Sequence, residues 1–169
     1  MRVSFDIDNT LVLHGRNASP EKGRFPAFIH GWFGEPLRRG TCSLISELRR
    51  QGCSVWIYTS PGRKPFDIRL WMFLYGIRVD GVVNDERQCR ELAGRRFPRV
   101  PSKYPPAFGI DLHIDDSEGV RMEGEMHGFQ VVVIRPCDES WTEKVLDAVT
   151  ACRLTMGLSE AIHHQGNCI

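Results

Sequence analysis

Two pairs of aspartates are set apart by their type and spacing. Asp6 and Asp8 close the first hydrophobic run of the chain, RVSFDIDNT, and Asp115 and Asp116 close a later one, LHIDDS. Four carboxylates gathered at one end of a sheet repel one another and retain their protons unless a cation intervenes. A hard divalent cation resolves the conflict. Mg²⁺ takes oxygen ligands, needs few from the protein and keeps waters that a phosphate can displace. An ionised aspartate beside it can attack phosphorus and form an aspartyl-phosphate. A second carboxylate two residues on can serve as acid to the leaving group and then as base to water. The plainer reading is that Asp6 and Asp8 cap a turn and Asp115 and Asp116 open a helix. It suffices for either pair alone. Both pairs at strand ends, with the hydroxyls of Thr59 and Ser60 at a third, favour the chemical reading.

These residues need a scaffold, and the hydrophobic pattern supplies one. Residues 3–7 read as a strand, and 14–36 as a loop rich in Gly, Pro and charge. Leu37, Leu44, Ile45 and Leu48 share one helical face over 37–51, with Gly52 placed to cap it. A strand is predicted over 54–59, a helix from Pro65 to Tyr75 closed by Gly76, a short strand over 80–84 and a helix from Asp85 to Ala93. Residues 94–110 hold four prolines and read as an ordered loop around a helical turn. Strands at 112–115 and 129–134 flank a helix over 118–127, and a closing helix runs from Trp141 to Leu154. The tail, 155–169, carries little pattern and is expected to fray. Strands and helices alternating at this spacing imply a parallel sheet covered on both faces, a Rossmann-like three-layer α/β/α sandwich with five strands. Active sites in such sheets lie beyond the carboxyl ends of the strands, where the strand order switches.

Composition sets the outer bounds. The chain has 169 residues, of which 41% are hydrophobic, enough for one domain spanning 1–154 and too few for two. A net charge of +1 gives no whole-molecule argument for nucleic acid or an anionic membrane. No apolar run approaches the roughly 20 residues needed to span a bilayer. No signal-peptide pattern is present at the N-terminus. Cys42, Cys53, Cys89, Cys137, Cys152 and Cys168 form no C-x-x-C pair. Reduced thiols in a cytoplasmic protein are the expectation.

The ordered motifs resemble those of the haloacid dehalogenase (HAD) superfamily of phosphohydrolases. Its D-x-D-x-T motif appears as Asp6-Ile7-Asp8-Asn9-Thr10, its second motif as Thr59 in WIYTS, its lysine as Lys103 in PSKYPP, and its acidic pair as Asp115 and Asp116. The resemblance implies a fold of the HAD kind and a Mg²⁺-dependent phosphatase acting on a phosphomonoester. It implies that Asp6 is the nucleophile and a metal ligand, and that Asp8 is the acid/base with its carbonyl on the metal. Thr59 would hold phosphoryl oxygens, Lys103 would offset charge, Asp115 would ligate Mg²⁺ directly or through water, and Asp116 would assist. Lys103 lies closer to the acidic pair than the family pattern leads one to expect, so Lys64 in PGRKP competes with it. Asp8 disfavours dehalogenase and phosphonatase chemistry. The rivals are a phosphotransferase, a nucleic-acid or phosphoprotein phosphatase, and a non-catalytic domain that binds a partner.

No gap holds a full cap domain, so 14–36 is expected to form only a flap over an open site, and neither substrate identity nor oligomeric state is legible. Phe25, Phe28, Trp32 and Phe33 are expected to anchor that flap, with a base or sugar platform as the alternative. Arg16, Arg24, Arg38 and Arg63 are expected to be scattered surface arginines, with a second anion site as the alternative. Tyr104 and its prolines are expected to brace Lys103. His14 flanks the acidic motifs; His113 is expected to pack rather than act, and Trp56 and Trp71 to fill core positions. His163, His164 and Cys168 lack metal-ligand spacing.

Overall fold

We describe the protein from a computed structural model. The described residues are 1–14, 20–23, 25, 35–59 and 62–165, with side chains described through residue 158. The elements run β1 (Arg2–Phe5), α1 (Thr41–Arg50), β2 (Ser54–Tyr58), α2 (Pro65–Leu74), β3 (Gly81–Val83), α3 (Asp85–Leu92), a 3₁₀ turn (Pro105–Phe108), β4 (Leu112–Asp115), α4 (Glu118–His127), β5 (Gln130–Val133) and α5 (Trp141–Gln165). The five strands form one sheet in the order β3-β2-β1-β4-β5, and every pairing is parallel. The fold is the expected Rossmann-like α/β/α sandwich. From β1 the chain steps outward to β2 and β3, then returns to the other side of β1 with β4 and β5. The strand order therefore switches between β1 and β4.

Side chains alternate across a strand, so register decides which residues share a face. Val3, Phe5, Val55, Ile57, Val82, Leu112 and Ile114 face one way and join the principal core. That core is closed by Leu44, Ile45 and Leu48 of α1, Ile68, Trp71 and Met72 of α2, and Trp141, Val145 and Val149 of α5. A smaller cluster of Tyr58, Val83, Phe108 and Ile110 belongs to the other side. Within the sheet Ser4 is the register partner of both Trp56 and His113.

Most element boundaries fall within a residue or two of expectation, and two do not. Helix α1 starts at Thr41 rather than near Leu37. Leu37 pairs instead with Val12 in an antiparallel bridge, and the Arg38 amide donates to the Leu11 carbonyl at 2.6 Å. Gly40, at φ +92°, then turns the chain into the helix. The second difference is α5, whose helix runs on past the expected end at Leu154 as far as Gln165. Its first turns are anchored by buried Trp141, Val145 and Val149, and Thr155 Oγ1 donates to the Cys152 carbonyl. Propagating an anchored helix costs far less than starting one. No helix among the described residues is long and apolar enough to cross a membrane. Most of the expected flap, including Arg16, Arg24, Phe28, Trp32 and Phe33, lies outside the described residues, as do Ser60 and Cys168; the side chains of His163 and His164 are likewise not described.

Trp71 is buried as expected, whereas Trp56 is half-buried, its indole flanked by the guanidinium groups of Arg2 and Arg87 at 4.4 and 5.2 Å. Its ring lies over Gly81 of the neighbouring strand, where a Cβ atom would stand 2.3 Å from it. Gly81→Ala should therefore destabilise the fold by about 1–3 kcal/mol through overpacking. Gly157→Ala, in α5 with no atom within 4 Å, should stabilise by about 0.5–1 kcal/mol. Urea-unfolding curves of the two variants check both signs.

Candidate active site

The β1/β4 switch point brings the two acidic motifs together because these strands are direct neighbours. The Asp6 amide donates to the Ile114 carbonyl at 2.8 Å, which extends the ladder one residue past β1. After Asp6 the chain turns tightly. The amides of Leu11 and Val12 both donate to the Ile7 carbonyl, and Asn9 takes a left-handed φ of +57°, a conformation asparagine tolerates better than most residues. This turn separates the first pair. Asp6 is buried, whereas the Asp8 side chain is 30% exposed at the site's rim.

Lys103 arrives from the 94–110 loop. Its Nζ donates to Asp6 Oδ1 at 2.5 Å and to Asp115 Oδ2 at 2.6 Å, and its side chain is 5% exposed. Lys64 instead stands exposed at the N-cap of α2, so Lys103 is the lysine brought to Asp6. Neighbours on both sides hold Lys103 in place. The Ser102 amide and hydroxyl donate to Glu123 of α4, Gln88 of α3 donates to the Ser102 carbonyl at 2.9 Å, and the Tyr104 amide donates to the Tyr58 hydroxyl at 2.8 Å. The Tyr104 ring packs edge-on against Phe97 and Phe129. The bracing expected of Tyr104 is thus visible in its contacts.

One ammonium shared between two buried carboxylates divides their protonation. Burial raises the Asp6 pKa from 3.8 to about 6, against the lowering influence of Lys103. Burial also acts upward on Asp115, but hydrogen bonds and positive charge more than offset it and leave that carboxyl well below its ordinary range. The difference lies in the partners. Besides Lys103, Asp115 receives His113 Nε2 at 2.9 Å and the Ser117 amide at 2.9 Å. Asp116 is raised by burial and by the charge of Asp115, and accepts from the Asn9 side chain.

Asp8 faces a different set of partners. Its Oδ1 lies 2.8 Å from both His14 Nε2 and Arg63 Nη2, and His14 Nδ1 lies 2.8 Å from Glu35. The hydrogen bond to Asp8 raises the His14 pKa. Thr59 directly follows β2 and donates its amide to the Val83 carbonyl of β3. Among the described residues the buried Thr59 hydroxyl has no hydrogen-bond partner, as is true of Thr10 Oγ1, Arg63 Nη1, Arg38 Nη1 and Trp71 Nε1. Buried donors without partners are costly and mark places where an acceptor belongs.

Among the described residues no group of three or more His, Cys, Asp or Glu side chains stands arranged as a metal centre. The donor chemistry nevertheless fits a hard divalent cation. Four carboxylates, Asp6, Asp8, Asp115 and Asp116, meet one lysine and one arginine, and the upward shifts of Asp6 and Asp116 come first from burial, with the charge of neighbouring carboxylates adding to it. Both oxygens of Asp115 are engaged by Lys103, His113 and Ser117, so Asp116 is the acid of that pair with the freer oxygens.

Ser4, Tyr58 and His113 join the site, or its support, without having been singled out for it by sequence. His113 was expected to pack; it packs and also binds Asp115. The available signal was its i, i+2 spacing from Asp115 on one strand face. Arg38 drops out of the anion-site set, because its Nη2 donates to the carbonyls of Arg135 and Asp138 beneath Trp141.

No family model and no curated protein matches the chain. Among solved structures, a chain in the Pnkp1/Rnl/Hen1 complex is similar over 78% of this chain and 45% of its own length, at 15% identity and a TM-score of 0.48. A second structure of that complex, described as an RNA repair complex, matches over 41% of its chain, so this protein spans less than half the length of either. A predicted HAD-like family hydrolase from Porphyromonas gingivalis is similar over 89% of this chain and 96% of its own, at 12% identity and a TM-score of 0.42. These likenesses carry nothing about chemistry. The parallel five-stranded sheet, with its acids at the β1/β4 switch point, is a Rossmann-like α/β fold.

The Asp6 shift has a measurable consequence. The folded protein holds this proton up to about pH 6, whereas the unfolded chain releases it near 3.8. The native state therefore binds more protons between those values and loses stability as the pH rises through them. Asp6→Asn lacks this proton. Its stability relative to wild type should rise between about pH 4 and pH 6, by up to about 3 kcal/mol, and stay level above. Paired urea titrations in chelator check this; a difference flat across that window would show Asp6 ionised throughout.

Proposed function

We propose that the protein is a Mg²⁺-dependent phosphatase of the HAD type that hydrolyses a phosphomonoester through an aspartyl-phosphate on Asp6. The observation that carries the reading is the Lys103 ammonium held between buried Asp6 and Asp115 at the switch point. The buried hydroxyl of Thr59 at the neighbouring strand end, without a partner among the described residues, adds a donor for a phosphoryl oxygen.

A carboxylate oxygen of Asp6 attacks phosphorus as the ester P–O bond breaks, and the departing oxygen takes a proton from Asp8. Water then attacks the acyl-phosphate, gives its proton to Asp8 and releases phosphate, which restores Asp6. Lys103 orients Asp6 and offsets charge on the phosphoryl oxygens, with Thr59 and Arg63 as further donors. Asp6, Asp116 and the Asp8 carbonyl would hold Mg²⁺, which supplies positive charge to the phosphoryl group.

The experiment is hydrolysis of an aryl phosphate with Mg²⁺ and with chelator. Turnover should require Mg²⁺ and should fall at least about a thousandfold in Asp6→Asn, in the range seen when a nucleophile is removed. Lys103→Ala should be far more damaging than Lys64→Ala. Asp8→Asn should slow alkyl esters more than aryl esters, since good leaving groups need less protonation. Full turnover by folded Asp6→Asn would rule out the covalent route.

A second reading concerns the size of the substrate. Residues 92–110 contain Arg95, Arg96, Arg99 and Lys103 and no carboxylate, and the three arginines are exposed. A polyanion with a terminal phosphate, such as an oligonucleotide, suits such a segment. Its hydrolysis should exceed that of a small ester and weaken steeply with salt, and Arg96→Ala with Arg99→Ala should abolish that preference.

A further inference from the structure

His113 is wholly buried in the middle of β4, and both of its ring nitrogens are engaged. Nδ1 lies 2.8 Å from Ser4 Oγ on the neighbouring strand, and Nε2 lies 2.9 Å from Asp115 Oδ2. Register explains the first contact, since Ser4 and His113 are directly paired across β1 and β4. Strand alternation explains the second, since residues 113 and 115 share a face. The Tyr58 ring, centred 5.5 Å away, closes the remaining side, and the same tyrosine's hydroxyl holds the Tyr104 amide next to Lys103.

The partners settle the tautomer. An ionised carboxylate only accepts, so the proton sits on Nε2 and points at Asp115. Nδ1 of the neutral ring then accepts, and the Ser4 hydroxyl donates to it. The chain Ser4–His113–Asp115–Lys103–Asp6 runs from the sheet's interior to the nucleophile, each link between 2.5 and 2.9 Å.

We propose that His113, set in its tautomer by Ser4, is a positioning residue that fixes the Asp115 carboxylate and through it the Lys103 ammonium on Asp6. It touches neither substrate nor metal. Without its donor, Asp115 keeps the Ser117 amide and Lys103 but is free to turn about its side-chain bonds, and Lys103 turns with it. Attack on phosphorus needs Asp6 aligned, so the loss falls on the chemical step rather than on binding. The inference rests on the functional reading above.

The test has two arms. The first is ¹⁵N NMR of the His113 ring in the metal-free wild-type protein. It should show Nε2 protonated and Nδ1 bare; a proton on Nδ1 would overturn the proposal, and this arm needs no turnover. The second is kinetic. His113→Leu keeps bulk and removes both hydrogen bonds, and kcat should fall about 10- to 100-fold with KM changed by less than about twofold. His113→Gln, whose amide can still donate to Asp115, should recover most of the loss. Ser4→Ala should lower kcat in the same direction by about 3- to 10-fold, which keeps the test alive if His113→Leu fails to fold. An active wild type with unchanged kcat in folded His113→Leu and in Ser4→Ala would refute positioning alone. A wild type inactive on every phosphomonoester would refute the functional reading while leaving the tautomer measurement to judge the hydrogen-bond chain.

Discussion

The Lys103 ammonium stands within 2.6 Å of two buried carboxylates, and much of the surrounding structure exists to keep it there. A buried lysine is tolerated only when paired, and a pair loses its value once one partner goes. Two acids and one base leave a net negative charge in a space that water scarcely reaches. The protein answers with donors on Asp115, from His113 and the Ser117 amide, and leaves Asp6 the weaker share. The acid whose charge is least supported is therefore the one whose carboxyl pKa burial raises.

This constraint reaches into three elements. Glu123 of α4 and Gln88 of α3 grip Ser102, and Tyr58 of β2 grips Tyr104, so the lysine between them comes from a loop fixed at both sides. The second face of the sheet is accordingly not a plain hydrophobic surface. Ser4 and His113 lie in its middle rows, where the opposite face carries Val3, Phe5, Leu112 and Ile114. Polar residues buried there cost stability unless fully bonded, and both are bonded to each other.

Asp8 stands at the rim with its own partners, His14 and Arg63, and Glu35 pairs with that histidine. The D-x-D spacing thus serves two settings at once. One acid is sunk beside the lysine, and the other stays within reach of solvent and of exchangeable protons. The tight turn over residues 7–12, with Asn9 in the left-handed region, produces that separation within two residues.

The alternation of strands and helices, and with it the parallel sandwich, is legible in the residue pattern alone, because both periodicities are written locally. The pattern also shows which acids end their strands, since those follow apolar runs directly. Residues 37–40 misled for a physical reason: Leu37 is apolar in the helical register, but a long-range bridge to Val12 claims it. The length of α5 was equally hidden, because an anchored helix continues through residues that carry no pattern of their own. The motif order already favours Lys103 over Lys64, but its contact with Asp6 depends on a loop folded back across the switch point, which only tertiary structure reveals. Only it could turn His113 from packing into a donor, because Ser4 lies 109 residues away in sequence and meets it through strand register. Local patterns record what each segment buries; which polar groups meet is decided by how the strands are ordered.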